Sequence, residues 1–479
     1  MSIDSLHLTP AALCGITGGR LLNNTKHSIR GITTDSRNLK PGSLFLALRG
    51  EKFDGHAFLG DAADAGASCL VCEDSVDLSS VFHNNGEVSI ITVPDTLKAL
   101  GDIARWYKNT ISPTVIAVTG SVGKTTTKEF ISAVASSAFP VLKTEGNLNN
   151  EIGLPLTLFR LSSEHQAAIL EMGMNHAGEI SRLSKIAEPD IAVITNVGTS
   201  HIENLGSREG IRNAKFEITD GMRNGSTLIL NGDEPLLLNK REEAEGKGLR
   251  VFTFGMGDNV DCRILNARSS EAGMIFSLAY PDKKSTIQDI KIPAEGMHNV
   301  YNAAAAWLCG LMLRMTEKQI RSGLSAFVNT GMRQKIYEAG AFRIIEDCYN
   351  ASPEAMRASL TVLTDICARR GGHAIAVLGE MRELGIHSAP LHYEVGAFAA
   401  QKGVHTLLTF GEAADEIARG AADSGMDQAN IFSNSALDAP EITAEHLKNA
   451  VCPGDTVLFK ASRAVQLERV IRIFSQGES

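Results

Sequence analysis

The sequence predicts an α/β protein of three domains with mostly parallel sheets, and three observations carry that prediction. A chain of 479 residues is longer than one hydrophobic core usually holds, so about two to four domains are expected. Apolar runs of strand length at 167–170, 191–194 and 227–230 are each followed by a helical pattern, and the alternation resumes beyond residue 342. The stretch TVIAVTGSVGKTTTKEFI, residues 114–131, reads as a short buried strand, a glycine turn and a helix that opens near Lys124.

That stretch is a phosphate cradle. Gly120 and Gly123 let the backbone at Ser121 and Val122 come close to a polyphosphate, with successive N–H groups turned inward and the dipole of the helix behind them at Thr125 and Thr126. The Lys124 ammonium can reach the terminal phosphates, and the Thr125 hydroxyl can ligate the Mg²⁺ that travels with ATP. The middle domain is therefore expected to be a P-loop-type ATPase. One departure is Val118, which stands where the usual pattern has glycine, five residues before Gly123.

Composition narrows the classes. The net charge is -9 with no lysine-rich or arginine-rich run, which argues against a nucleic-acid surface and leaves small anionic substrates open through local sites. No charged and apolar leader opens the chain and no apolar run reaches membrane-span length, so a cytoplasmic protein without a membrane span is expected. The eight cysteines are single except Cys69 and Cys72, which lie in a strand-like segment with no second pair to complete a zinc site; they are read as reduced, buried thiols. The chain is read as a monomer.

Taken in order, residues 1–95 alternate short strand and helix signals and form the first domain. Their densest segment, 33–59, brings Asp35, Ser36 and Arg37 just ahead of a Pro-Gly turn, where such residues are turn and cap formers as readily as ligand groups. Residues 96–330 form the domain built on the cradle. At the carboxyl edge of its sheet, where open α/β sheets bind ligands, Glu171 ends one strand and His201 follows another. They either reach a metal on the cradle's phosphates or cap the next helix. The loop 144–158 offers the amides of Asn147, Asn149 and Asn150 to a polar ligand, or makes an ordinary turn. Lys215 falls in a helical segment, 209–218, and taken alone reads as a solvated surface lysine. About two or three strands near 263–293 then lead to an alanine-rich helix. Its Asn299 and Asn302 share a face from which amides can read an adenine edge, with capping as the other role for Asn299. Residues 331–479 repeat the alternation without a second cradle, as a Rossmann-like domain that acts as a lid or second half-site. Its carboxyl-edge residues include Asp347, Tyr349, Asn350, Glu380, Lys460, Ser462 and Arg463.

Segments spread over nearly the whole chain resemble the Mur ligases. They are TTDSRNLKPGSLFLALRGEKFDGHAF, TGSVGKTTTKE, GNLNNEIGLPLTL, EMGMNHAGEI, NVGTSHIENLGSREGIRNAK, HNVYNAAAA, DCYNASPEAM and LGEMRELG. GNLNNEIGLPLTL and EMGMNHAGEI look like the dipeptide-adding branch, and the Asp-Asn-Pro-Arg motif typical of the branch that adds the third residue is missing. KASR at 460–463 is a looser match, because the family more often has glycine where Ala461 stands. The resemblance also accounts for Val118, since the family's cradle follows TGSxGKT.

The resemblance implies an ATP-dependent amide ligase of peptidoglycan synthesis, one that adds D-alanyl-D-alanine to UDP-N-acetylmuramoyl-tripeptide through an acyl phosphate. The first domain would hold the UDP sugar, with Asp35, Ser36 and Arg37 among the substrate-binding residues. The central domain would hold ATP, with Asn147, Asn149 and Asn150 toward substrate. The last domain would close over both and help bind the dipeptide through Tyr349, Asn350, Lys460, Ser462 and Arg463. Lys124 would hold the β and γ phosphates, Thr125 and Glu171 one Mg²⁺, and His201 a second that a carbamylated Lys215 supports. Asn299 and Asn302 would face adenine, while Arg333 and Asp347 reach phosphate and ribose from across the domain gap. Two rivals are weaker. A folylpolyglutamate synthetase begins with its ATPase domain, whereas a whole domain precedes the cradle here; a nucleotide switch would need a guanine-reading Asn-Lys-x-Asp motif, which is absent.

Overall fold

The computed structural model describes residues 8–25, 27–50, 53–82, 88–280 and 285–475, so that Glu51 and Lys52 of the segment 33–59 lie outside the described residues. Three sheets follow one another along them. The first runs in the order Arg20–Asn23, Ser89–Val93, Cys69–Glu73, Ser43–Leu46, Gly31–Thr33, and only the Arg20–Asn23 strand is antiparallel to its neighbour. In the second, Thr114–Thr119 lies between Ile191–Ile194 and Ala167–Glu171, all parallel. Thr227–Asn231 and Arg250–Gly255 extend it in parallel, and Cys262–Ser270, Gly273–Tyr280 and Ser285–Ile292 add antiparallel pairs at the far edge. The third sheet is parallel through Phe342–Asp347, Thr456–Lys460, Ala374–Gly379, Thr406–Phe410 and Ile431–Asn434, with Lys335–Ala339 antiparallel on the outside.

The strands nearest the cradle read as unbroken apolar runs because helices cover both faces of a parallel sheet, leaving no solvated side that would demand alternation. Ile116, Ala117, Val118, Ile169, Leu170, Val193 and Ile194 are all fully buried. Strands the periodicity does not announce, Lys335–Ala339 and Ile431–Asn434, are edge strands with half-exposed side chains, so no apolar run marks them.

Beneath the cradle, helix Lys124–Ser136 packs on Met297–Met312 and Glu317–Ser325. The alanine run Ala303 to Ala306 is wholly buried, and small side chains let these helix axes come close. The closest approach is at Gly323, where a Cβ would fall 2.4 Å from Val134 Cα.

The cores are not distributed one per sheet. One cluster runs without a break from Leu44 and Ile91 of the first sheet through Leu100 and Ile103 to Val115, Leu170 and Leu228 of the second. The third sheet has its own two clusters, and Ile202 is the partly buried residue that packs against both the first cluster and the third sheet's. Cys69 and Cys72 are buried free thiols; burial pushes Cys69 far up and Cys72 up to about 11. Among the described residues no helix is long and apolar enough to cross a membrane.

Gly323→Ala is expected to lower stability by about 1–3 kcal/mol, because the clash is with backbone that cannot rotate away. The urea midpoint of unfolding checks this, and an unchanged midpoint would show that the two helices have room to separate.

Candidate active site

Everything begins at the end of strand Thr114–Thr119. Gly120 has φ +152, and a Cβ there would lie 1.8 Å from Thr195 Oγ1, so only glycine fits. The turn that follows is tied to the next strand's loop. Val122 N donates to Asn196 Oδ1 at 2.9 Å, Thr195 Oγ1 donates to Val122 O at 2.6 Å, and Gly198 N donates to Ser121 Oγ at 2.8 Å. Gly123, at φ +85, opens helix Lys124–Ser136 with no side-chain cap, leaving its first N–H groups for an anion. Lys124 curls back so that Nζ donates to Gly120 O at 2.8 Å and Ser121 O at 3.3 Å. Burial lowers its pKa, which the Glu171 carboxylate partly offsets.

Thr125 Oγ1 donates to Glu171 Oε2 at 2.8 Å, while Asn149 Nδ2 donates to Glu171 Oε1 at 2.8 Å. Glu171 is buried at the end of strand Ala167–Glu171, so a hydroxyl and a carboxylate, both hard oxygen donors, are held together at the cavity wall. Asn147 lines the same wall, whereas Asn150 spends its Oδ1 on Gly153 N at 2.8 Å and so steadies the start of the following helix.

His201 stands in the left-handed region at φ +65, and its Nδ1 is 2.6 Å from Glu383 Oε2 of the C-terminal domain. Lys215 is not on a solvated face. It is 1 % exposed, on helix Arg208–Phe216 which Ser207 caps, and burial together with the nearby Lys124 charge drives its pKa well down. The spacing Ile211, Ala214, Lys215 puts the lysine on the helix's inward face, a signal that was present in the sequence.

From the other side come the residues of the third sheet. Arg333 stacks on Tyr349 with its guanidinium 4.0 Å from the ring centroid. Asp347 takes a hydrogen bond from Lys460 Nζ at 2.5 Å, from Ser359 Oγ at 2.7 Å and from Gln334 N at 3.2 Å. Burial raises the Asp347 carboxyl, but Lys460 and these donors outweigh it and leave it below its usual value. Lys460 Nζ also reaches Asn350 O at 3.2 Å. These groups and the cradle enclose one cavity of about 330 Å³, shared between two domains.

Asn299 and Asn302 line that cavity, yet most of their hydrogen-bonding capacity is turned inward. Asn302 Oδ1 accepts from Thr127 Oγ1, its Nδ2 donates to Asn299 Oδ1, and Asn299 Nδ2 donates to Gln334 Oε1 at 2.7 Å. They fasten the cradle helix to the entry of the last domain. Several predicted residues do not line the cavity: Gly120 lies against Thr195, Lys215 is buried on its helix, Ser462 Oγ accepts from Arg382 N, and Arg463 pairs with Glu468. Asp35, Ser36 and Arg37 are also apart from it. Asp35 caps the turn at Ser36 and grips Arg37, whose hydrogen bonds draw the carboxyl down to about 2. Sequence reasoning gave no role to Gln334 or His298, which line the cavity; burial lowers His298 to about 4, keeping it neutral at pH 7.

Three family descriptions match along the chain: Mur ligase family, catalytic domain over residues 28–108; Mur ligase middle domain over 118–310; and Mur ligase, glutamate ligase domain over 332–463. The UDP-N-acetylmuramoyl-tripeptide--D-alanyl-D-alanine ligase of Bacillus subtilis is 38% identical over 446 residues, covering 93% of each chain. The crystal structure of MurF from Acinetobacter baumannii superposes with a TM-score of 0.87 at 30% identity, covering 98% of both chains. MurF ligase from Thermotoga maritima in complex with ADP gives 0.79 at 30% identity over 93% of this chain and 97% of that one.

Asp347→Ala would leave the Lys460 ammonium buried without its partner, and stability is expected to fall by about 3–5 kcal/mol. The pair also sets a pH limit. A carboxyl whose folded pKa is depressed contributes fully above its unfolded value, and loses that contribution as pH drops through the folded one. Urea unfolding at pH 7 and below pH 4 measures both, and equal stability of the variant and the natural chain at pH 7 would contradict the pairing.

Proposed function

The chain belongs to the Mur ligase family, and we propose that its cavity activates the terminal carboxylate of UDP-N-acetylmuramoyl-tripeptide with ATP and delivers it to the amine of D-alanyl-D-alanine. The chain is an ATP-dependent ligase of peptidoglycan synthesis. What carries the reading is a full-length likeness to ligases of that activity, joined to a cavity with a phosphate cradle on one wall and a second domain on the other.

A carboxylate is a poor electrophile toward an amine at neutral pH, so it must first gain a leaving group. In our reading the tripeptide carboxylate attacks the γ-phosphorus to give an acyl phosphate and ADP, and the dipeptide amine then attacks the carbonyl carbon and expels phosphate. Such transfers are governed by positioning and charge stabilisation. Lys124 and the uncapped N–H groups at Gly123 to Thr126 hold the phosphates. Lys124 then exchanges its bonds to Gly120 and Ser121 for phosphate oxygens. Arg333 adds a cation from the lid. Thr125 and Glu171 fit Mg²⁺, being hard oxygen donors already in contact, and His201 would hold a second ion. When bound, these ions would neutralise charge on the phosphates.

Lys215 has no ion pair among the described residues, and burial with the nearby Lys124 charge lowers its pKa, which favours the neutral amine. We read it as the site of a carbamate: the neutral nitrogen adds to CO₂ and gives up one proton, so that an uncharged buried amine becomes an anion beside Lys124 and the metal sites. Asp35, Ser36 and Arg37 stay assigned to the UDP sugar, and Tyr349 and Asn350 to the dipeptide side.

Phosphate release that requires ATP, UDP-N-acetylmuramoyl-tripeptide and D-alanyl-D-alanine together tests the reading; release independent of the two peptides would refute it. Lys215→Ala is expected to cut turnover about a hundredfold or more, with partial rescue by a short carboxylate in the buffer. Because the residue is buried, the variant's melting temperature is measured alongside. Near-normal turnover without added acid would remove the carbamate.

A further inference from the structure

We propose that Glu383, carried on the C-terminal domain, is the positioning residue for His201, so that closure of this domain fixes the imidazole in the form the site uses. The proposal rests on the ligase reading of the cavity. His201 Nδ1 is buried, lies 2.6 Å from Glu383 Oε2, close but out of line for a hydrogen bond, and has no other polar partner. A carboxylate that accepts from Nδ1–H leaves the Nε2 lone pair for the site, which is how such partners orient a ligating histidine. Contacts of this kind tighten once ligand is bound.

Both residues are held in the left-handed region, His201 at φ +65 and Glu383 at φ +64. Neither is glycine, and strained backbone of this sort persists only where the surroundings over-determine it. The surroundings of Glu383 do so. It is the tip of a loop after strand Ala374–Gly379 in which every preceding residue is tied down. Glu380 O accepts from Ser462 N at 3.0 Å, Met381 N donates to the buried His392 Nε2 at 2.9 Å, and Arg382 N donates to Ser462 Oγ at 2.9 Å. This gives work to Ser462 and to Glu380, two motif residues that do not touch the cavity.

The loop on the His201 side is gripped at a second point. Glu354, in the first turn of helix Pro353–Arg370, accepts from Thr199 N at 2.9 Å and Thr199 Oγ1 at 3.1 Å, two residues before His201. Ile202, directly after it, packs against the cores of both domains. One carboxylate therefore docks the loop and the other meets the imidazole. Both carboxylates come from the C-terminal domain, so it is the docking of that domain that orients the histidine.

The test uses full-length protein labelled with ¹⁵N-histidine, with His201 assigned by difference from His201→Gln. In the natural chain and in Glu383→Gln, which keeps an acceptor, the neutral His201 ring should carry its proton on Nδ1. In Glu383→Gly the proton should move to Nε2. Glycine also relieves the left-handed backbone, so the melting temperature should not fall. In the ligase assay Glu383→Gly should lower kcat about 10–100-fold with KM for ATP within about twofold, and Glu383→Gln should recover part of the loss. An identical tautomer ratio in the natural chain and Glu383→Gly, or an unchanged kcat, overturns the proposal. A chain that releases no phosphate with its three substrates fails the ligase reading instead, and the tautomer measurement, made without substrates, still decides the role of Glu383.

Discussion

The site depends on how closely Gly120 approaches Thr195. With no Cβ at 120, the cradle turn sits directly against the end of the neighbouring parallel strand, and Thr195, Asn196 and Gly198 can all bond to it. That contact makes the phosphate turn and the loop leading to His201 one rigid piece. Any side chain at 120 would push them apart and separate the groups proposed to hold phosphate from those proposed to hold metal. Preorganisation of this kind is where most of the catalytic advantage in phosphoryl and acyl transfer lies.

A second constraint concerns which domains can move. The first two sheets share a continuous apolar cluster, so separating them would expose buried hydrocarbon. Besides the apolar contact of Ile202, the C-terminal domain meets the rest through polar contacts: Glu354 on Thr199, Glu383 beside His201, and Gln334 between Asn299 and Asp347. Such contacts can exchange with water at little cost, so this is the domain boundary where movement would cost least. Asn299 and Asn302 acquire a mechanical role here, since they couple the cradle helix to Gln334 at the lid's entry.

Much of this was legible in the sequence where chemistry is local. The strand, glycine turn and helix at 114–131 lie within one short segment, and Glu171 is found simply by asking what ends the next apolar run. What was not legible depends on pairs distant in the chain. Lys460 and Asp347 are 113 residues apart, and only the parallel pairing of their strands brings them to 2.5 Å. Glu383 lies within LGEMRELG, and nothing local in that segment points to its partner, which belongs to another domain. Lys215, which taken alone reads as a solvated lysine, is buried: it lies four residues after the buried Ile211 and shares that residue's inward face.

The central claim is that the tripeptide carboxylate itself becomes phosphorylated in this cavity. Tripeptide substrate labelled with ¹⁸O in its terminal carboxylate, turned over with ATP and D-alanyl-D-alanine, tests it by mass analysis of the released phosphate. Transfer of one ¹⁸O into phosphate for each amide formed is the result the account predicts. Phosphate free of label, with amide still made, would contradict it.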